Sequence, residues 1–196
     1  MTNLVGRIPK IALFATAALI QVSLIAAMVV DRASILRTGT DVMLQTRPVD
    51  PRDFLRGDYV TLAYDISTIP AGTLKLQSVA QTGTTVFVKL VPNRGGFYEA
   101  VSVDPQPVAV TSPEVLIRGR VAGGMSCGAD YRAFCETLEV RYNIEQYFVP
   151  EGEGANLENA RNQHKLAVVA AVAPDGRAAI RRLLIDGTPI YEEPWF

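Results

Sequence analysis

The chain has 196 residues, formal net charge −1, 48% hydrophobic and 20% charged residues. That balance supports a packed core and excludes a wholly disordered chain. It also lacks the basic excess that a nucleic-acid binder carries.

The apolar residues concentrate at the amino end, in RIPKIALFATAALIQVSLIAAMVVDR. No residue from Ile11 to Val30 is charged. At ~1.5 Å per residue this run spans about 30 Å as a helix, the thickness of a hydrocarbon core. Arg7 and Lys10 precede it, while Asp31 and Arg32 cancel after it. The positive-inside tendency therefore predicts a cytoplasmic N-terminus, residues 11–30 in lipid and the rest of the chain across the membrane. A cleaved signal peptide is the rival reading, but the run exceeds a usual h-region of roughly 7–15 residues, and Ala26 and Ala27 lie inside it. The predicted organisation is a cytoplasmic start, an anchor and a short helical extension over 1–38, then an exported domain over 39–196. Gly39 is the natural helix stop.

Beyond the anchor the pattern has period two. DVMLQT (41–46) predicts a first strand. DYVTLAYDI (58–66) predicts a second, continuous one, with Val60, Leu62, Tyr64 and Ile66 on one face. TTVFVKLVP (84–92) and GFYEAVSVD (96–104) flank Asn-Arg-Gly-Gly, which is hairpin chemistry. VLIRGRVAG (115–123) and ETLEVRYNI (136–144) flank a loop holding Cys127 and Cys135, the only cysteines. In an exported domain such a pair reads as a disulfide closing that loop. KLAVVAAVA (165–173) and AAIRRLLID (178–186) flank Pro-Asp-Gly, and TPIYEE follows. Residues 146–163 are too polar for a buried strand, and Asn156–Asn162 suits a short helix. The expected fold is mainly β: a transmembrane helix, then a small antiparallel barrel or sandwich of about eight strands with one helical excursion.

The segment RPVDPRDFLRGDYVTLAYDIS (47–67) is the densest in signal. Pro48 and Pro51 hold the backbone extended. Asp50 and Asp53 suit turn amides or the guanidinium groups of Arg52 and Arg56. Gly57 permits positive φ, and Asp58 can bridge the turn. Tyr59 and Tyr64 fall on opposite faces, so one can anchor the core and the other face outward.

This segment resembles the signature of the bacterial GDYXXLXY family, carried here by Gly57, Asp58, Tyr59, Leu62 and Tyr64 with PVDPRD just ahead. IEQYFVPEGEGANLE and LLIDGTPIYEE resemble its C-terminal half, so the likeness runs over roughly 40–193. It implies a small membrane-anchored protein often encoded beside multi-pass membrane proteins, and no reaction. Ala63 and Asp65 depart from the longer polar residues common in that strand.

No catalytic pattern is complete among these residues. The corner also resembles that of signal peptidases, but their serine position is Val49 here, and Thr46 is the only hydroxyl nearby. A Ser-Lys dyad needs a placed hydroxyl and a desolvated lysine, and nothing joins Lys75, Lys89 or Lys165 to Ser67 or Ser78. Paired carboxylates from Glu151, Glu158 or Asp58 are the alternative, a cell-envelope hydrolase. There is one histidine, His164, and no phosphate loop or dinucleotide fingerprint, so no cofactor or metal is expected. The function expected is partner binding or assembly without catalysis, through Asp50, Arg52, Asp53, Arg56, Gly57, Asp58, Tyr59 and Tyr64, joined by Glu151 and Glu158. The partner expected is a multi-pass membrane protein, with the anchor and first strand close to the bilayer.

Overall fold

The computed structural model describes residues 10–49, 59–70, 81–123, 137–149 and 154–194. It is mostly β, with an apolar N-terminal helix and a nearly closed barrel-like sheet. Helix α1 (Lys10–Thr38) is long and apolar enough to cross a membrane, and its apolar side chains from Ile11 to Val30 are exposed apart from partly covered Ala12. It stops at Gly39, whose amide donates to the Ile35 carbonyl at 2.9 Å. A Cβ at Gly39 would lie 2.6 Å from that oxygen and 3.0 Å from the Val172 amide nitrogen, so only glycine lets the helix end close on the sheet.

Five strands form the sheet against which α1 ends: β1 (Thr40–Arg47), β3 (Ala63–Tyr64), β10 (Leu166–Val172), β11 (Ala178–Ile185) and β12 (Thr188–Glu192). Their order is β12-β11-β10-β1-β3, and every pairing is antiparallel. A second sheet has β4 (Thr68–Pro70), β5 (Thr85–Pro92), β6 (Tyr98–Asp104), β7 (Val115–Gly123) and β8 (Thr137–Arg141) in the order β4-β8-β7-β5-β6. Strand β2 (Tyr59–Thr61) pairs only with β9 (Gln146–Phe148). Helix α2 (Gly154–Asn162) follows, packed near β10, β2 and β1.

The hairpins expected from Asn-Arg-Gly-Gly and Pro-Asp-Gly form as read. Gly176 has φ +84, and a Cβ there would meet the Arg118 amide nitrogen at 2.9 Å, because the β10–β11 turn lies against β7. The Arg118 amide donates to the Gly176 carbonyl at 2.7 Å and joins the two sheets there.

The expected continuous strand 58–66 is broken. Its apolar face survives: Val60, Leu62, Tyr64 and Ile66 are all buried in the main core. The backbone from 59 to 70, however, takes three partners in turn. β2 pairs with β9, β3 with β1, and β4 with β8, with a single 3-10 turn at Asp65–Ser67 between the last two. The segment is the seam on which one sheet gives way to the other. Side-chain alternation records the buried face and carries no information about which neighbour the backbone bonds, so the breaks are invisible to it. The same seam raises the strand number above eight. The polar excursion also supplies β9, whose Gln146 and Phe148 are exposed; an edge strand needs no apolar face.

The cysteine loop, with Cys127 and Cys135, lies outside the described residues, as do Asp50, Arg52, Asp53, Arg56, Gly57, Asp58 and Glu151.

Candidate functional site

Two constructions stand out: the underside of the signature segment, and the joint between α1 and the sheet.

Two reciprocal hydroxyl bonds hold the seam. Tyr64 is fully buried, and its hydroxyl donates to the Ile144 carbonyl at 2.5 Å. Tyr142, also buried, donates to the Ile66 carbonyl at 2.6 Å. Each tyrosine thus caps the chain two residues beyond the other, and the Leu62 amide adds a bond to the Glu145 carbonyl at 2.8 Å. Burial, and secondarily the Glu145 carboxylate, push both phenols well above their ordinary pKa, so both stay protonated donors. Tyr64 therefore does not present a ring to the outside; it fixes where the segment runs. Tyr59 is placed by its backbone, paired with Phe148. Thr61 and Asp65 are exposed on the outward side.

Sequence reasoning missed Arg161. It is 1% exposed, the largest fully buried side chain among the described residues. Its Nη1 donates to the Thr61 carbonyl at 2.5 Å and its Nη2 reaches the Val49 carbonyl at 3.4 Å. Nε and Nη2 also donate to Asn162 Oδ1, both at 3.2 Å. Val49 and Thr61 both belong to the signature segment, twelve residues apart, so one guanidinium ties its first part to its strand. Among the described residues no carboxylate pairs with Arg161 at contact distance. Burial lowers its pKa from the ordinary arginine value, and Glu158, one turn earlier on α2, opposes that. Glu158 is half-buried beside this group rather than facing a second carboxylate among the described residues. A signal for Arg161 did exist: Leu157, Ala160 and Arg161 stand at helical spacing on one buried face.

Of the hydroxyls named for catalysis, Thr46 and Ser67 are engaged in structure, and Ser78 lies outside the described residues, as does Lys75. Thr46 is buried and donates to the Leu166 carbonyl at 2.5 Å. Ser67 Oγ accepts the Tyr64 amide at 3.4 Å, and Lys89 pairs with Glu114 at 3.1 Å. Among the described residues no group of three His, Cys, Asp or Glu side chains could hold a metal ion. An open groove of about 220 Å³ lies between β4 and β6, the two ends of the same five-stranded order, with Ile66, Ile69, Phe97 and Tyr98 in its lining.

At the other construction the last turns of α1 lie on the β10–β11 hairpin. Ile35 and Leu36 pack with Ala171, Ala173 and Ala179, whose small side chains admit the helix. Three arginines from β11 and its turn bind the helix end. Arg177 pairs with Asp31 and, at 2.6 Å, with Asp175. Arg181 pairs with Asp41 and donates to the Leu36 carbonyl, which as a helix-end acceptor favours a cation. Arg182 takes the other Asp41 oxygen at 2.8 Å.

One consequence is a weak pH dependence of this joint. Partial burial raises the Asp175 pKa, but the Arg177 hydrogen bonds outweigh it and the net shift is downward. A carboxylate with a lowered folded-state pKa contributes stability that is present above its unfolded value and lost as pH falls through the lowered one. Hydrogen exchange of the 173–177 turn in the full chain should therefore accelerate below about pH 4. The effect should stay under about 1 kcal/mol, since the pair is solvated, and it should diminish in Asp175→Asn, where Arg177 keeps Asp31 as its partner. An unchanged pH profile in that variant would show that Asp175 is not the titrating group.

The family model described as GDYXXLXY protein matches residues 21–183, which takes in more than half of α1, the seam and most of both sheets. No curated protein and no solved structure matches the chain.

Proposed function

The chain belongs to the GDYXXLXY family, and from that premise we propose that it is a membrane-anchored protein-binding or assembly subunit. In this reading residues 1–38 are the cytoplasmic start, the single span and its extension, and 39–196 form the exported domain. The chain sits in a bacterial inner membrane with its N-terminus in the cytoplasm, and its partner is an integral membrane protein with several spans. The contact surface is the signature corner, with Asp50, Arg52, Asp53, Arg56, Gly57, Asp58 and Tyr59, joined by Glu151 and Glu158. Tyr64 acts from beneath, by holding the strand.

The observation that carries this reading is the investment beneath the corner. A fully buried guanidinium without a contacting carboxylate among the described residues, and two buried tyrosine hydroxyls, tie the segment's first part to its strand and fix its seam. Burying such groups costs free energy that apolar packing would not. Surfaces built to bind in one geometry accept that cost.

A photo-crosslinker at Arg56 in intact membranes tests the proposal. It is expected to capture a specific integral membrane protein, and mild-detergent purification of the unmodified chain should bring the same protein along. Recovery of the chain alone by both routes would end the proposal.

A further inference from the structure

Asp31 and Arg32 cancel in the sequence, but they do not pair in the structure. Successive residues of a helix point about 100° apart and do not face each other. Asp31 turns toward the β10–β11 hairpin and pairs with Arg177. Arg32 is exposed and has neither an ion pair nor a hydrogen bond among the described residues. It differs in this from Arg177, Arg181 and Arg182, each of which is bonded to an acid at the joint.

Arg32 shares a helix face with Met28, Val29 and Leu36, which lie four and three residues before it and four after. That face changes character along its length. Met28 and Val29 are 73% and 52% exposed, whereas Leu36 is 6% exposed, covered by the sheet. Arg32 stands at the step between the two. Opposite the step, the chain leaving β12 comes back to the helix. Glu193, whose amide donates to the Arg181 carbonyl at 2.8 Å, and Pro194 form the far wall of an open groove of about 260 Å³. Ala33 also lines it, and its small side chain leaves the groove its width. Glu193 does not neutralise Arg32: its carboxylate accepts the Tyr147 hydroxyl.

The groove is continuous with the exposed apolar stretch of α1, and Arg32 stands only two residues, about 3 Å, past the last uncharged residue, Val30. In a helix that crosses the bilayer this is the level of the phosphates, with Met28 and Val29 among the first methylenes below them. Its volume falls below the roughly 300–1,000 Å³ of sites that enclose a whole small molecule. It suits one part of a molecule whose remainder lies elsewhere. A guanidinium with all its donors open takes a phosphate in a two-pronged grip.

We propose that this groove is a binding site for one anionic phospholipid, with the lipid phosphate on Arg32 and the start of an acyl chain along Met28 and Val29. The site joins the anchor to the domain through a lipid and gives the chain a preference for anionic membrane. The inference rests on the membrane-anchored part of the reading above and is independent of any protein partner.

The full chain is reconstituted in phosphatidylcholine vesicles that contain, at equal mole fraction, phosphatidylglycerol or phosphatidylcholine with a photoactivatable acyl chain, and adducts are mapped by mass spectrometry. Over residues 28–36 and 193–194 the phosphatidylglycerol probe should give about fivefold more adduct than the phosphatidylcholine probe, the factor one basic side chain contributes at an anionic surface. Over residues 14–24, exposed apolar helix away from the groove, the ratio should be near one. Arg32→Gln, and Ala33→Phe, which fills the groove and keeps the charge, should each bring the groove ratio to near one. Arg94→Gln, the same charge loss in an exposed hairpin turn, should leave it unchanged. The unfolding midpoint of Arg32→Gln in detergent should equal that of the wild type, since the side chain has no partner to lose. A wild-type ratio of one in the groove, an enrichment that survives Arg32→Gln, or one lost as fully in Arg94→Gln overturns the inference while adducts over 14–24 keep the anchor in lipid. A chain with no adducts over 14–24 removes the membrane-anchored reading itself, and the site with it.

Discussion

Tyr64→Ala is expected to lower the stability of the β domain by about 3–5 kcal/mol, the range for truncating a large buried aromatic. Tyr64 is fully buried where three strand pairings change hands, and its loss opens a cavity at the seam. The same change removes the hydroxyl that donates to the buried Ile144 carbonyl. Tyr64→Phe isolates that second part, with an expected cost of about 1–2 kcal/mol for an unsatisfied buried acceptor. Tyr142→Phe should cost about the same by stranding the Ile66 carbonyl. Because the two hydroxyls cap each other's chain, the double Phe variant should depart from additivity, as contacts in one network do. Thermal unfolding of the full chain in detergent reads all four, at about 2–4 °C per kcal/mol for a domain of this size. A Tyr64→Ala variant with an unchanged midpoint would show that the seam is not what joins the sheets.

The second large effect belongs to Arg161. Arg161→Ala should cost about 3–5 kcal/mol, combining a cavity with the loss of charge-assisted bonds to buried carbonyls. Arg161→Met refills most of the volume with methylenes and removes a desolvated charge, so its cost should be smaller, about 1–3 kcal/mol. The comparison separates shape from hydrogen bonding. Arg161→Lys keeps the charge yet offers a single ammonium where a planar fork spans Val49, Thr61 and Asn162, so it should resemble Met more than wild type. Unfolding midpoints measure the cost, and hydrogen exchange at Thr61 locates it. If Arg161→Ala leaves the midpoint and the Thr61 amide unaffected, the guanidinium does not hold the segment.

The two halves of the GDYXXLXY signature have different physical roles. Leu62 and Tyr64 are core, at 1% and 0% exposure. They account for why a strand of that pattern is needed, without any appeal to binding. Gly57 and Asp58 precede the first described residue of β2, in the stretch whose ends Arg161 holds.

Much of this was determined by the sequence alone. An uncharged run from Ile11 to Val30 has the length of a bilayer core whatever follows it, because helix rise is constant. Period-two alternation placed β1, β5 and β7 to within a residue or two, because each alternates buried and open residues over most of its length, while β10, buried throughout, and β11 were legible as apolar runs flanking Pro-Asp-Gly. The short helix at 154–162 was legible from polarity and the loss of alternation. The family followed from a few ordered residues. What only the tertiary structure decided were relations between distant segments: the exchange of partners along 59–70, the reciprocal bonds of Tyr64 and Tyr142, the reach of Arg161 to Val49 and Thr61, and the seating of α1 on the β10–β11 hairpin. Local pattern reports which side of a residue is buried, since burial acts on one side chain at a time. Hydrogen-bond partners and strand direction are properties of pairs separated by some eighty to a hundred and forty residues, and no local window contains them.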